Sequence, residues 1–467
     1  MLWEVALARR VKTLAGLSVA QIDAAMRHPE QLGNLRVVAG LLQMLDAAKG
    51  DLGSWSAIQE QLYRASYRAQ QAGHDLRRAI ARLDDNKDAG WPVAHGSETK
   101  TFITPEWRLN CNPDGRDRAP WDAELCVAER IDRQLKAVGD ALAWQVFRYD
   151  RRIIIALSQN DPPGPFVGKG GLAAERGTVT ELWTRHGHFA LMHDLTSVLR
   201  IVDITEVQAN GFRMLHEIKS NPRASVSRQK RMAEAALAAV DGQDPLPGRG
   251  PVPQPFLWRS SAQLRTHVRE LRSLIDQARA RGFWVGRTAD RVVGAANLLV
   301  AAQNGKSPSE QWAEYEDHRE RALDKHLPPS LHRMNGISAD GAGRDAAIAP
   351  YGIYPLDPWQ RAGIICDYLI IEGTMTDQAL INALEERGLK ARPLLPTANG
   401  ERSAHDEIVE VIKGNRRMIL HGAAINQLLI EWIHTSRYAD AVNELFETPD
   451  PAARGVLTFS NERGAWI

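Results

Sequence analysis

Through most of the first third of the chain, apolar positions recur every three or four residues, the spacing of one face of an α-helix. "SVAQIDAAM" opens on a Ser that can cap a helix, and "SWSAIQEQLYRASYRAQQAGHDLRRAIARL" keeps the spacing for several turns. The pattern lapses in "DDNKDAGWPVAHGSETK", which reads as surface chain. It resumes in "WDAELCVAERIDRQLKAVGDALAWQVFRYDRRIIIAL" and breaks again at "SQNDPPGPFVGKGG". From 171 to about 240 the character changes. "GLAAERGTVTELWTRHG" predicts a helix with Leu172, Val179, Leu182 and Trp183 inward and Gly187 as its stop. "HFALMHDL" and "SVLRIVDITEVQ" predict strands, Ala209-Asn210-Gly211 a hairpin turn, and "FRMLHEIKS" the returning strand. "SVSRQKRMAEAALAAV" begins on a Ser cap and predicts a closing helix.

These shifts divide the chain into a helical N-terminal region over 1–120, an α/β domain over 121–245 with its core at 171–240, and a mostly helical region over 255–467. The boundary before the last is the proline-rich "DGQDPLPGRGPVPQP", and a glycine-rich stretch, "NGISADGAGRDAAIAPYG", interrupts the last region. A length of 467 residues accommodates two or three such domains.

Net charge is +1, so no whole-molecule attraction for polyanions is expected, although a local basic groove is compatible with it. The chain has 12 lysines against 46 arginines, so a lysine at a chosen position carries more information than usual. Cys111, Cys126 and Cys366 form no CxxC pair, which suits reduced thiols in a cytoplasmic protein. "MLWEVALARRVKTLAG" carries charges where a signal peptide needs an apolar core. "GIICDYLII" and "MILHGAAINQLLIEWI" are too short or too polar to span a bilayer, so no membrane partner is expected.

The chemistry concentrates in "LHEIKSNP", residues 215–222. Alternation along a strand sets Glu217 and Lys219 on one face and His216 and Ile218 on the other. Asp203 lies among apolar residues in "LRIVDITEV", where an isolated carboxylate is costly to bury. A hairpin at Asn210-Gly211 lets Asp203 and Glu217 approach. Two facing carboxylates need a cation between them, and Mg²⁺ or Mn²⁺ with carboxylate, water and phosphate oxygens meets that need. The Lys219 ammonium can then stabilise charge developing on a phosphate.

This ordered set resembles the PD-(D/E)xK superfamily of restriction-endonuclease-like nucleases, with the nearest likeness to Holliday-junction-resolvase-like members. The resemblance covers about 75 residues and implies an α/β, restriction-endonuclease-like mixed-sheet core flanked by helical regions. Glu175 takes the place of the family's helical acid, with Glu181 as the fallback. Asp203 matches the motif aspartate, and Glu217 and Lys219 match its last two residues. The departure is Val202, where proline is common. The resemblance implies metal ligation by Glu175, Asp203, Glu217 and the Ile218 carbonyl, catalysis by Lys219, and positioning of water or phosphate by Gln229. It points to a Mg²⁺-dependent endonuclease acting on nucleic acid, DNA first, in defence against foreign DNA or in repair. The rivals are a nuclease-like binding or assembly protein without activity, and an RNA-cleaving toxin-like nuclease.

Weaker signals have blander readings. Glu-x-Lys recurs by chance, as in "SETK" ending at Lys100. "GPFVGKGG" is one residue short of a phosphate loop and reads as a flexible loop. His186, His188, His193 and His216 read as satisfied or exposed histidines rather than zinc ligands. Arg265, Arg269, Arg272, Arg279 and Arg281 recur at near-helical spacing: either a solvated face or a surface for the nucleic-acid backbone or a partner subunit, another copy included. The apolar runs at 362–372 and 418–433 read as helices of the core or of such a partner surface.

Overall fold

The computed structural model describes residues 24–84, 119–158, 164–211, 213–218, 227–242, 246, 256–303, 305–327, 333–337, 346–394, 407–447, 455–459 and 462–466. These fall into two units. In the first, the N-terminal periodicity forms three long helices, Pro29–Ala48, Leu52–Asp84 and Ala119–Val146. Their inward faces carry Leu35, Val38, Leu42 and Leu45 on the first and Trp55, Ile58, Leu62 and Ala69 on the second. Val127, Ile131, Leu135, Val138 and Leu142 face them from the third. Each fully buried Leu, Ile or Val contributes roughly 1.5–3 kcal/mol, so this apolar seam is the main support of the first unit. Polar cross-links fix its register: Gln31 and Asn34 both donate to Gln134 Oε1, at 2.9 and 2.8 Å.

Against these helices lies a three-stranded antiparallel sheet, β1 (Phe189–Met192), β2 (Ile204–Val207) and β3 (Arg213–His216), in the order β1-β2-β3. Phe189 faces Val207, and Ile204 faces His216. The Asn210-Gly211 turn forms as expected, with Gly211 at φ +81° and its N–H donating to Gln208 O at 2.8 Å. Among the described residues this sheet is wholly antiparallel rather than mixed. Gln59, on the second long helix, takes the place of a further strand beside β1. Its Nε2 donates to Ala190 O at 2.7 Å, and its Oε1 accepts from Met192 N at 2.9 Å.

The Leu172–His186 helix precedes β1 and ends as predicted at Gly187, which is left-handed at φ +66°. The N–H groups of Gly187 and His188 return to Trp183 O and Leu182 O, closing the last turn. Its expected inner face is partly corrected. Leu172, Val179 and Leu182 are half-buried, but Trp183 is 37% exposed, and the side chain that the helix buries is Glu175. "SQNDPPGPFVGKGG" is also not simply a loose loop. Phe166 is fully buried, and the N–H groups of Phe166 and Val167 donate to Gln70 Oε1.

The second unit departs most from its periodicity. The region after 255 holds nine described strands as well as helices. An antiparallel sheet runs β5 (Phe283–Arg287), β6 (Val292–Asn297), β8 (Leu369–Thr376), β7 (Arg333–Ile337). Another joins β11 (Arg416–His421), β10 (Glu407–Lys413) and β9 (Lys390–Pro393), and β12 (Gly455–Phe459) pairs in parallel with β4 (Phe256–Ser260). The two apolar runs read as helices are each a helix and a strand. "GIICDYLII" ends the Pro358–Ile365 helix and starts β8, and "MILHGAAINQLLI" runs from β11 into the Gly422–Ile430 helix. β8 is buried at every position, and a strand covered on both faces has no alternation to show. No described helix is long and apolar enough to cross a membrane. "SVAQID" and nearly all of the proline-rich boundary lie outside the described residues.

Gly139, on the Ala119–Val146 helix, lets that helix approach the turn after β1. A Cβ there would meet Leu195 O at 1.9 Å and Leu195 C at 2.8 Å, and both are backbone atoms. Gly139→Ala should therefore cost about 3 kcal/mol or more, at the upper end of overpacking penalties. A thermal melt checks this: an unchanged midpoint would mean that the helix and the turn are not held together.

Candidate metal centre

Asp203 is set by three hydrogen bonds. Its N–H donates to His216 O at 3.0 Å, its carbonyl accepts from His193 N at 2.9 Å, and its Oδ2 accepts from Ile218 N at 2.6 Å. The strand β3 ends at His216, so Glu217 and Ile218 lie just past it rather than within it as expected. The Asp203 side chain supplies the next rung in place of backbone pairing. Immediately before it Val202 is left-handed at φ +58° and buried. That conformation is uncommon for a β-branched residue and closed to proline, so the departure from the family's proline has a conformational counterpart.

Glu175 sits in the first turn of the Leu172–His186 helix and is only 5% exposed. Burial pushes its carboxyl up to about 7, and the charges of Asp194, Asp203 and Glu217 push the same way while Lys169 opposes them. The turn after β1, the start of β2 and the end of β3 thus bring three acids within electrostatic reach of Glu175 on the helix. The four do not converge as a ligand set: no three of them bring ligand atoms within 4.8 Å of one another, and among the described residues the His and Glu atoms that do so belong to a different cluster, in the second unit. The fallback acid, Glu181, instead pairs on the surface with Arg185.

Two members of the group are not apparent from the sequence pattern. Asp194 lies in the short 3₁₀ turn His193–Leu195, and Lys169 Nζ reaches both of its carboxylate oxygens at 2.7 Å. The signal for Asp194 is an acid two residues after the buried run "FALM", close to the logic that singles out Asp203. Lys219 lies outside the described residues. Gln229 lies on the Ser227–Gly242 helix, and its side chain is outside them too.

The histidines resolve as satisfied groups. His193 is buried, with Nδ1 2.9 Å from Ile201 O and Nε2 2.7 Å from Thr205 Oγ1, and desolvation lowers it to about 4. His188 and His216 share Glu206, at 2.6 and 2.7 Å.

No protein-family model, curated protein or solved structure matches the chain. The site's capacity therefore rests on its own chemistry. The donors are carboxylate oxygens, hard ligands of the kind that Mg²⁺ takes, and Glu175 is held in a place where its ionised form is disfavoured until positive charge arrives.

The raised Glu175 sets a pH test. Its neutral form stabilises the fold below the ordinary carboxylate value of 4.5, and that contribution is lost as pH rises toward about 7. In metal-free buffer, Glu175→Gln should gain on the wild type between those values and hold a constant difference above them. Parallel stability curves across that window would place Glu175 in an ordinary solvated setting.

Proposed function

We propose that the chain is a divalent-metal-dependent nuclease that hydrolyses phosphodiester bonds of nucleic acid, with DNA as the substrate. The observation that carries the reading is Glu175: a helical acid buried beside Asp203 and Glu217, in the chain order and setting that the nuclease superfamily uses. Glu175, Asp203 and Glu217, with the carbonyl of Ile218, would hold the ion, which requires them to close in from a spacing at which no three bring ligand atoms within 4.8 Å of one another. A divalent ion held there would supply Lewis-acid activation of the scissile phosphate and of a water. The Ile218 N–H keeps the Asp203 carboxylate in one orientation. Lys219, two residues beyond Glu217, stabilises charge on the phosphate, and Gln229 positions water or phosphate.

A non-cutting binding protein is the second reading, favoured by one ion pair. The Lys169–Asp194 pair already places an ammonium among the acids, as an internal counterion would.

Lys219→Ala should lower cleavage of a DNA duplex by roughly a hundredfold or more, the cost of removing a group that acts on transition-state charge, without moving the melting temperature. Full activity in that variant would overturn the nuclease assignment. Millimolar Mg²⁺ should raise the melting temperature of the wild type, and Asp203→Asn, which keeps an oxygen for the Ile218 N–H, should blunt that rise. Absence of a shift, with or without DNA, would favour the binding protein. Better competition by RNA than by DNA would move the substrate to RNA.

The Val268–Arg281 helix bears on how a neutral chain holds a polyanion. Arg269, Arg272, Arg279 and Arg281 are exposed along it, and Arg265 is exposed just before it. Reversal of Arg265, Arg269 and Arg272 to Glu should weaken DNA binding and reduce its salt slope by about one for each phosphate no longer neutralised. Binding unchanged across a salt series would leave the helix as a solvated face.

A further inference from the structure

His267 is 1% exposed in the second unit, and its ring nitrogen Nδ1 completes no hydrogen bond. A buried imidazole in that state calls for a partner. Nε2 lies 3.0 Å from Asp290 Oδ1, and Nδ1 lies 3.8 Å from Glu270 Oε1. The ring of His434 stacks on that of His267, with centroids 3.8 Å apart and 20° between the planes. One ligand atom each from His267, Glu270 and His434 lies within 4.8 Å of the other two.

The frame beneath these residues is rigid. Thr266 and Ile433 form an antiparallel bridge. On either side of it His267 N donates to Trp432 O at 2.8 Å and His434 N donates to Arg265 O at 2.9 Å. Trp432, fully buried, is left-handed at φ +58°, a strained conformation that persists only where its surroundings impose it. Asp290 is held in turn by Arg291 Nε at 2.8 Å and Thr435 N at 3.0 Å. These contacts fix its carboxylate behind His267.

We propose that His267, Glu270 and His434 bind one borderline divalent transition-metal ion, Zn²⁺ being representative, with a fourth position open to water. Two imidazoles and one carboxylate are a donor set that suits Zn²⁺ and its neighbours rather than Mg²⁺. Asp290 orients His267 through Nε2 and leaves the Nδ1 lone pair toward Glu270, the arrangement that a carboxylate behind a ligating histidine provides. Tetrahedral ligands at Zn–N of about 2.0 Å stand roughly 3.3 Å apart, so the 3.8 Å between Nδ1 and Glu270 Oε1 needs only a small contraction. An ion must lie in the plane of each ring that holds it, so His434, the more exposed of the two, turns out of the stack on binding. Glu270 is exposed, which gives the ion a route in.

The test uses the full chain with Zn²⁺ alone, followed by calorimetry, and Co²⁺ as a spectroscopic probe. One ion per chain is expected, with a visible Co²⁺ band from nitrogen and oxygen ligands. Glu270→Gln and His434→Ala should each weaken Zn²⁺ by more than about tenfold, a loss seen even for outer partners of a metal site, and His434→Ala should remove the Co²⁺ band. Both change side chains that reach solvent, so the fold should survive; His267→Ala empties a buried position and is the less informative variant. Asp203→Asn should leave Zn²⁺ binding unaltered. No binding by the wild type would overturn the site, as would equal affinity and stoichiometry in wild type, Glu270→Gln and His434→Ala. Loss of Zn²⁺ in Asp203→Asn with retention in His434→Ala would overturn it too, by assigning the ion to the carboxylates of the first unit.

Discussion

The first unit's candidate site depends on the hydrogen bonding of one residue, Asp203. Its amide and carboxylate both engage the end of β3, at His216 O and Ile218 N, and its carbonyl engages the turn after β1. Remove that node and Glu217 loses its fixed position, the His193 turn loses an anchor, and Asp194 moves with it. The left-handed Val202 beside it shows the cost of the arrangement. A strained backbone conformation of this kind costs of order 1–3 kcal/mol and persists only where surrounding structure over-determines it. The three bonds of Asp203 and the burial of Val202 do so here.

Electrostatics then decides what the node is good for. Asp194, Asp203 and Glu217 act on Glu175, and Glu175, the acid most withdrawn from water, bears the consequence in its raised proton affinity. Lys169 offsets part of the repulsion by pairing with Asp194. The two units differ in their chemistry. The acids of the first offer only hard oxygen donors, whereas the His267 cluster of the second offers nitrogen and a single carboxylate, backed by a fixed carboxylate. Ions of different hardness suit the two sets.

Local chemistry wrote much of this directly into the chain. The Asn210-Gly211 turn, the Gly187 stop, the three long helices and the position of Asp203 opposite the end of β3 all follow from period and turn residues, which act over a few positions. Asp203 stood out as an acid among apolar neighbours and Glu217 through its alternation with Lys219, whereas Glu175 was singled out only by the family resemblance. Contacts between distant segments were not legible. Nothing in "GPFVGKGG" announces that Lys169 meets Asp194, or that Gln70 anchors the turn that carries it. His267 and His434 stand 167 positions apart in sequence and meet only because a two-residue bridge joins their segments.

The strands of the second unit mark the same limit. β8 is apolar and buried throughout, so its periodicity carries no face to read, and only its neighbours β6 and β7 make it a strand. By itself, then, the sequence determined where helices begin and stop, where the hairpin turns, and which acids are out of place. Tertiary structure decided which of those acids share a field, which histidines are satisfied and which is left wanting a partner. The physical reason is range: propensity and period act within a few residues, whereas burial, ion pairing and strand pairing depend on which remote segments fold against them.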